Sequence, residues 1–410
     1  MTNHSEQSQT TSRFAHIERK LSPERLQAAL DPIQQATGLP NAAYDDAELF
    51  EFERDQVIGK TWAALDFTSE LPQGAYAKPI DFMGLPVLIT RDRKGNIRVF
   101  HNVCSHRGMV LMPEAGPVRN LLRCRYHSWS YDLAGDLKST PHIGGVGENT
   151  APGFSCEGKG LKEIRSGQWM GIIFINLSGD AESLEEFIAP LETRWEQFTG
   201  TGAFNALQVA ETHSNMQLEV KANWKLAIEN YCEAYHLPWV HPDLNSYSPL
   251  DRHINLHVND YMSGQASLNY TFSEVSGLSL PKFSAWPSDR LTEGEYISLY
   301  PNVLLGVQVD HVFAIILQPV ANNFTLEKLQ ISYVNEEATG EAMADCRKAV
   351  MAAWKLVFEE DIFAVESMQL GRKSPGFEGG HFSPVLDAPT HDFHKWVAKR
   401  YQEALSPSVS

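Results

Sequence analysis

Apolar side chains recur along the chain with two different periods, and each period predicts a different kind of element. Spacings of three and four residues place apolar side chains on one face of a helix. They predict helices over residues 23–30, 45–58, 184–198, 223–236 and 341–370, with a short helix around 393–404. Residues 1–19 are rich in Ser, Thr and Gln, which predicts a mobile tail.

The β-rich runs fall into two groups. Short runs at 87–90, 97–102, 121–125 and 170–176 alternate with Gly and Pro and predict a small all-β unit. Longer runs at 296–307, 311–319 and 324–334 predict consecutive antiparallel strands. Together with the helices, these runs predict an α+β fold in three parts. A tail and helices occupy 1–60, an all-β domain 61–180, and a larger domain of antiparallel sheet and long helices 181–410.

Composition and charge narrow the function classes. The 410 residues are 43% hydrophobic and 10% aromatic, which is enough apolar material for sizeable cores. The formal net charge of −17 disfavours binding to nucleic acid. The polar N-terminus does not resemble a signal peptide, and the longest apolar stretch, 303–320, is broken by Gln308, Asp310 and His311. We therefore expect a cytoplasmic protein without a membrane span and with reduced thiols.

Two of the five cysteines have histidines at spacings typical of metal ligands. Cys104 precedes His106 by two positions, and Cys124 precedes His127 by three, each pair in a predicted loop. Two thiolates and two imidazoles suit either a tetrahedral zinc ion or a Rieske cluster. In a Rieske cluster two Cys hold one iron and two His hold the other. A purely structural, metal-free role is the third possibility.

The residues around these ligands resemble the Rieske family. Cys-Ser-His-Arg-Gly at 104–108, followed by Cys-Arg-Tyr-His-Ser-Trp at 124–129, is similar to the family's two cluster-binding loops. The resemblance implies a [2Fe–2S] cluster on Cys104, His106, Cys124 and His127. Such a cluster accepts and passes on an electron but does not itself oxidise organic molecules, so we expect a second site.

Candidate ligands for that second site lie in two distant segments. His236 and His241 are five positions apart, and on a straight helix they would diverge by about 140°. Pro238 favours a break after His236, which lets His241 fold back. On the predicted helix 341–370, Asp361 lies within an apolar face, while Glu359, Glu360 and Glu366 are expected to point away. Two His and one carboxylate suit Fe(II) with open positions, whereas a buried Asp in a core ion pair is the alternative.

A second resemblance covers this region. Asn-Trp-Lys at 223–225 and the spacing of Glu233, Tyr235, His236 and His241 are similar to the catalytic domain of Rieske oxygenase α subunits. The resemblance implies a helix-grip type domain in which His236, His241 and Asp361 bind iron. It also implies that Glu233 bridges to a cluster histidine of the neighbouring subunit and that Asn230 lies near the iron.

The function implied by the resemblance is oxygen insertion by a multicomponent system. Electrons would come from NAD(P)H through a separate reductase, with or without a ferredoxin, and the subunits would form a homotrimer. Substrates would be an aromatic ring or aromatic acid, or a quaternary ammonium or N-methyl compound. The Glu at 233, where many ring-hydroxylating members have Asp, resembles the carnitine and choline branch. The alternative is a Rieske electron carrier with a non-catalytic ligand-binding domain.

Five aromatic residues are candidates to line the substrate pocket, and ordinary core packing is the alternative role for each. They are Tyr261, Tyr270, Phe272, Trp286 and Tyr300.

Overall fold

The computed structural model describes residues 14–270 and 278–406. Its helices, in chain order, are Ala15–Leu21 (α1), Pro23–Leu30 (α2), Ala42–Asp45 (α3), Ala47–Gln56 (α4), Leu184–Thr199 (α5), Trp224–Tyr231 (α6), Leu237–Val240 (α7), Pro242–Tyr247 (α8), Glu336–Thr339 (α9), Ala344–Gly371 (α10) and Ala388–Leu405 (α11). The predicted tail is thus already helical from Ala15. This helix forms because Ile17 and Leu21 are buried against the main core.

Ten strands make up the first half of the β structure. They are Ala63–Phe67 (β1), Tyr76–Phe82 (β2), Leu85–Arg91 (β3), Ile97–His101 (β4), Gly116–Pro117 (β5), Leu122–Arg123 (β6), Ser130–Tyr131 (β7), Leu137–Ser139 (β8), Glu163–Trp169 (β9) and Ile172–Asn176 (β10). Seven of them form one antiparallel sheet in the order β1-β10-β9-β4-β3-β2-β5. The remaining three form a small sheet, β6-β7-β8. The loop after β4 and the turn between β6 and β7 carry the Cys and His pairs.

Seven further strands form the second large sheet. They are Asn215–Val220 (β11), His253–Asn259 (β12), Met262–Ser267 (β13), Gly294–Leu299 (β14), Val303–Val307 (β15), His311–Ala321 (β16) and Phe324–Tyr333 (β17). The order is β11-β17-β16-β15-β14-β13-β12, with antiparallel neighbours. The predicted single strand 296–307 was wrong, because β14 and β15 are the arms of a hairpin. Pro301 lies in its turn, where a missing N–H costs no ladder hydrogen bond.

Helices α6 and α10 pack against each other and, together with the second sheet, enclose the main apolar core. The last helix, α11, packs on α2 and β13 and begins earlier than predicted, at Ala388. Pro389 suits this start, since its fixed backbone angle favours the first helical turn. The predicted α+β fold is confirmed. Within the described chain, no helix combines the length and the apolar character needed to span a bilayer.

Candidate active site and metal centres

The two Cys-His loops have the same backbone hydrogen-bond pattern. The N–H of Cys104 donates to Met109 O (2.8 Å), and that of Cys124 donates to Trp129 O (2.9 Å). Four residues after each Cys, at Gly108 and Ser128, the backbone takes a positive φ (72° and 58°) and its N–H returns to the Cys carbonyl. Glycine suits that conformation and serine tolerates it at a cost. Both loops therefore hold a buried thiol in the same turn, with an imidazole two positions after Cys104 and three after Cys124.

The side chains of these loops fit a two-iron cluster. The rings of His106 and His127 lie with centroids 4.6 Å apart, and the Nδ1 atom of each is buried without a hydrogen-bond partner. Buried polar atoms without partners are rare, so the two nitrogens fit metal ligation.

The hydroxyl of Tyr131 contacts the loop that carries Cys104 and His106. Its hydroxyl lies 3.2 Å from Cys104 Sγ and 2.9 Å from Ser105 Oγ, and it accepts the Ser105 N–H at 3.1 Å. Burial and the hydrogen bond with Cys104 raise the pKa of Tyr131 to about 12. The hydroxyl thus keeps its proton and can donate to a cluster sulfur ligand, which raises the reduction potential.

The histidines of the second site follow a helix that ends earlier than the sequence predicts. Helix α6 was expected to run to His236 but ends at Tyr231. The Glu233 carboxylate accepts the backbone N–H groups of Tyr235 and His236 and so competes with continued helical bonding. The short turn α7, with Pro238 near its start, then separates His236 from His241.

This turn and helix α10 bring three candidate ligands together. Asp361 Oδ1 lies 2.9 Å from His241 Nε2 and 3.5 Å from His236 Nε2. All three ligand atoms fall within 4.8 Å of one another. The alternative of a plain core ion pair explains the Asp361–His241 contact but not the second imidazole facing the same oxygen. Two nitrogens and one carboxylate oxygen on one side of a cavity fit an iron ion with open positions.

Each imidazole is also held from its other nitrogen by an acid. Glu233 Oε1 accepts from His236 Nδ1 (2.6 Å), and Glu360 Oε2 accepts from His241 Nδ1 (2.7 Å). The prediction that Glu360 points away was therefore wrong. Glu360 lies on a half-buried flank of α10, from which its side chain reaches the His241 ring. The signal that could have found it was its position beside Asp361. Asn230 Nδ2 donates to Asp361 Oδ1 (3.0 Å) and so fixes the orientation of the Asp361 carboxylate.

The charges at this site favour a cation. Burial lowers the pKa of His236, but Glu233 and Asp361 outweigh it, and the net shift is upward. Burial also lowers the pKa of His241, but Asp361 and Glu360 outweigh it, and the net shift is again upward. A field that favours a proton on each imidazole also favours a divalent metal ion between them.

A cavity opens directly onto these ligands. Its lining combines the ligands with aromatic and polar side chains: Asn230, Tyr231, His236, Leu237, His241, Leu244, Ser248, His253, Gln265, Tyr296, Trp354, Val357, Phe358 and Asp361.

The predicted pocket residues are largely elsewhere. Tyr261 packs on Phe187 and Trp286 on Phe198, Tyr300 contacts Phe393, and Tyr270 stacks behind Trp354. The packing alternative therefore holds for these four, and Phe272 lies outside the described residues. Tyr231 and His253, which were not among the predicted pocket residues, do line the cavity.

A relay centre in a small β unit and a second centre of two histidines and a carboxylate beside a cavity define a class, the Rieske-type non-haem iron oxygenases. Comparison with known proteins agrees: residues 61–150 match the Rieske [2Fe–2S] domain, and 207–403 match the ring hydroxylating alpha subunit (catalytic domain). The chain belongs to this family of oxygenases and carries its cofactors, a [2Fe–2S] cluster and a non-haem Fe(II). The zinc and electron-carrier alternatives are therefore wrong.

Three similar proteins illustrate the relationship. The carnitine monooxygenase oxygenase subunit of Escherichia coli K12 is 30% identical over 354 residues, covering 84% of this chain and 87% of that protein. The chloroplastic choline monooxygenase of Arabidopsis thaliana is 24% identical over 88% of this chain and 82% of its own length. A solved quaternary ammonium Rieske monooxygenase, described with inter-subunit electron transfer, superposes with a TM-score of 0.72 at 25% identity, covering 91% of this chain and 98% of that chain.

Proposed function

We propose that this chain is the terminal oxygenase of a multicomponent system that hydroxylates a small quaternary ammonium or other N-methyl compound. The observation that carries this proposal is the aromatic lining of the cavity at the candidate iron ligands, formed by Tyr231, Tyr296, Trp354 and Phe358. Aromatic faces attract quaternary ammonium groups by cation–π interaction. The related carnitine and choline monooxygenases support the same substrate class. Hydroxylation of an arene is the second candidate, since aromatic walls also suit a ring.

We assign His236, His241 and Asp361 as the ligands of Fe(II), and Cys104, His106, Cys124 and His127 as those of the cluster. When bound, the iron supplies oxygen activation at the open side of the triad. Asn230 orients the Asp361 carboxylate, while Glu233 and Glu360 fix the two imidazoles. The overall change consumes O₂, two electrons and two protons, inserts one oxygen atom into a C–H bond and releases water.

The electrons are assigned to NAD(P)H, delivered through a separate reductase with or without a ferredoxin. One chain has an exposed aromatic side chain beside each centre: Tyr126 next to His127 and Trp239 near His241 (59% and 71% exposed). Such patches suit a head-to-tail contact between two copies, which closes into a ring. We therefore propose a homotrimer in which Glu233 couples His236 to a cluster histidine of the neighbouring subunit.

Substrate-dependent O₂ uptake with a surrogate reductase tests the substrate class. A panel of choline, carnitine, glycine betaine, benzoate and naphthalene separates the candidates. Uptake with a quaternary ammonium compound, together with a carbonyl product, is expected. Uptake only with the arenes would replace the first candidate by the second.

The trimer has its own test. Specific activity is expected to fall on dilution, in step with dissociation followed by light scattering. A fully active monomer would contradict the cross-subunit role of Glu233.

A further inference from the structure

The cavity beside the candidate iron ligands is lined by an aromatic wall and a polar wall, which adjoin where Tyr296 pairs with Gln265 across β14 and β13. One wall is aromatic and includes Tyr231, Tyr296 and Trp354; the other is polar and includes Ser248, His253 and Gln265. A substrate that fits both walls must have an apolar or cationic end and a polar end.

The aromatic wall offers mainly ring surfaces. The Tyr231 hydroxyl donates to Leu305 O (2.8 Å), and the Tyr296 hydroxyl accepts from Gln308 Nε2 (2.7 Å). The Trp354 indole N–H donates to His311 Nε2 (2.9 Å). With these polar tips engaged in the protein, the wall suits a methylated cation.

The polar wall is an uncharged network. His253 Nδ1 donates to Gln265 Oε1 (2.6 Å), and the Ser248 hydroxyl donates to His253 Nε2 (2.9 Å). Burial lowers the pKa of His253, so its ring is neutral at pH 7. The Gln265 amide also donates to Glu233 O (3.1 Å) and retains a second N–H and a second carbonyl lone pair. Such a wall can both donate to and accept from a hydroxyl group.

A carboxylate would find no counter-charge here. The described lining contains no Lys or Arg, and residues 271–277, which follow Tyr270, contain none in their sequence. Arg252, next to His253, is exposed at the surface. The nearby acids Glu233, Glu360 and Asp361 together exceed the charge of one Fe(II) ion. Burying an anion without a partner is costly, so a carboxylated substrate is disfavoured.

We propose that the preferred substrate is a quaternary ammonium compound whose other end is an uncharged hydrogen-bonding group, as in an amino alcohol of the choline type. Gln265 binds that end, is held in place by His253, which Ser248 supports in turn, and sets specificity against carboxylated quaternary amines. This inference rests on the proposed function, because it subdivides the quaternary ammonium class.

Equilibrium binding distinguishes failure of the specificity inference from failure of the proposed function. Isothermal titration of the oxidised holoenzyme with choline, glycine betaine and L-carnitine is expected to give a Kd for choline at least about 10-fold lower than for either carboxylate, equivalent to about 1.4 kcal/mol. Equal or tighter binding of the carboxylates would overturn the specificity inference alone. Failure of all three to bind, with binding of naphthalene, would overturn the proposed function as well.

A charge placed on the polar wall sharpens the test. Gln265→Lys is expected to reverse the preference, with the Kd for L-carnitine falling and that for choline rising. Gln168→Lys, at an exposed position of β9, is the matched control and should keep the wild-type order of Kd values. An unchanged order in a folded Gln265→Lys protein would refute the role of this wall, and the wild-type titration decides the inference if that variant does not fold.

Discussion

The two metal centres are built in opposite ways. The four candidate cluster ligands lie within a span of 24 positions, 104–127, on two loops with the same turn geometry. The candidate iron ligands instead join the turn around α7 to helix α10, with 120 positions between His241 and Asp361. The first centre is thus encoded by local turns, whereas the second exists only when remote elements pack together.

The histidines of the two centres also differ in their surroundings. The buried Nδ1 atoms of His106 and His127 lack protein partners, while those of His236 and His241 each contact a carboxylate. A relay needs ring edges that face outward toward an electron donor or acceptor. A site that activates oxygen needs its ligands fixed in orientation. At the first centre Nδ1 is thus the nitrogen left for a metal, whereas at the second centre a carboxylate holds Nδ1 and Nε2 faces Asp361.

Removing one candidate ligand of the iron site is the strongest test that the two centres are independent. Asp361→Ala is expected to lower the iron content from about three to about two per chain and turnover by more than about 100-fold, because loss of a ligand should exceed the effect of an outer partner. The visible spectrum of the cluster should be unchanged. Metal analysis after anaerobic purification checks this, and loss of the cluster spectrum would contradict the independence of the two centres.

The link between the centres is tested at Glu233. Glu233→Ala at saturating Fe(II) is expected to keep both metals but to slow turnover by about 100-fold, since the acid orients His236 and is the proposed bridge. Single-turnover spectroscopy should show a reduced cluster that fails to reoxidise. Normal reoxidation would refute the bridge.

A smaller effect is expected at Glu360. Glu360→Gln removes the charge that holds His241 Nδ1 and should raise the Kd for Fe(II) by about 10-fold. Glu359→Gln is the matched control, because Glu359 pairs with Lys355 at the surface. Equal iron affinity in the two variants would show that Glu360 does not support the ligand.

The smallest expected effect concerns the cluster. Tyr131→Phe removes a hydrogen bond to Cys104 and is expected to lower the reduction potential by about 30 mV, which corresponds to about 0.7 kcal/mol for one electron. Iron content should not change. Tyr76→Phe, in β2 and packed on the main core, is the control in spectroelectrochemical titration, and an equal potential in both variants would exclude this role of Tyr131.

The residues near His236 show how far local reasoning reaches. Pro238 predicted a break after His236, but the break lies before that residue, between Tyr231 and Leu237, where the Glu233 side chain binds the backbone. Apolar periodicity placed Asp361 on the inner face of a long helix. It could not reveal that Glu360, one position earlier, reaches the other side of His241, because that contact depends on how α10 crosses the turn.

The residues that line the substrate cavity were predicted less well than the candidate metal ligands. Trp354 and Phe358 lie on α10, whose apolar face was predicted from the sequence, but only the packing of α10 against β14 and α6 makes them cavity walls. Tyr261 and Tyr300 have the same residue type but face the core.

Residue patterns were enough to predict the family, the α+β class and the candidate ligands, because turn residues, helical periods and ligand spacings are local properties of the chain. Folding was needed to bring Glu360 to His241 and to turn Trp354 and Phe358 of α10 toward Tyr231 at the cavity. Those contacts depend on the register and crossing of elements more than a hundred positions apart, and no local spacing specifies them.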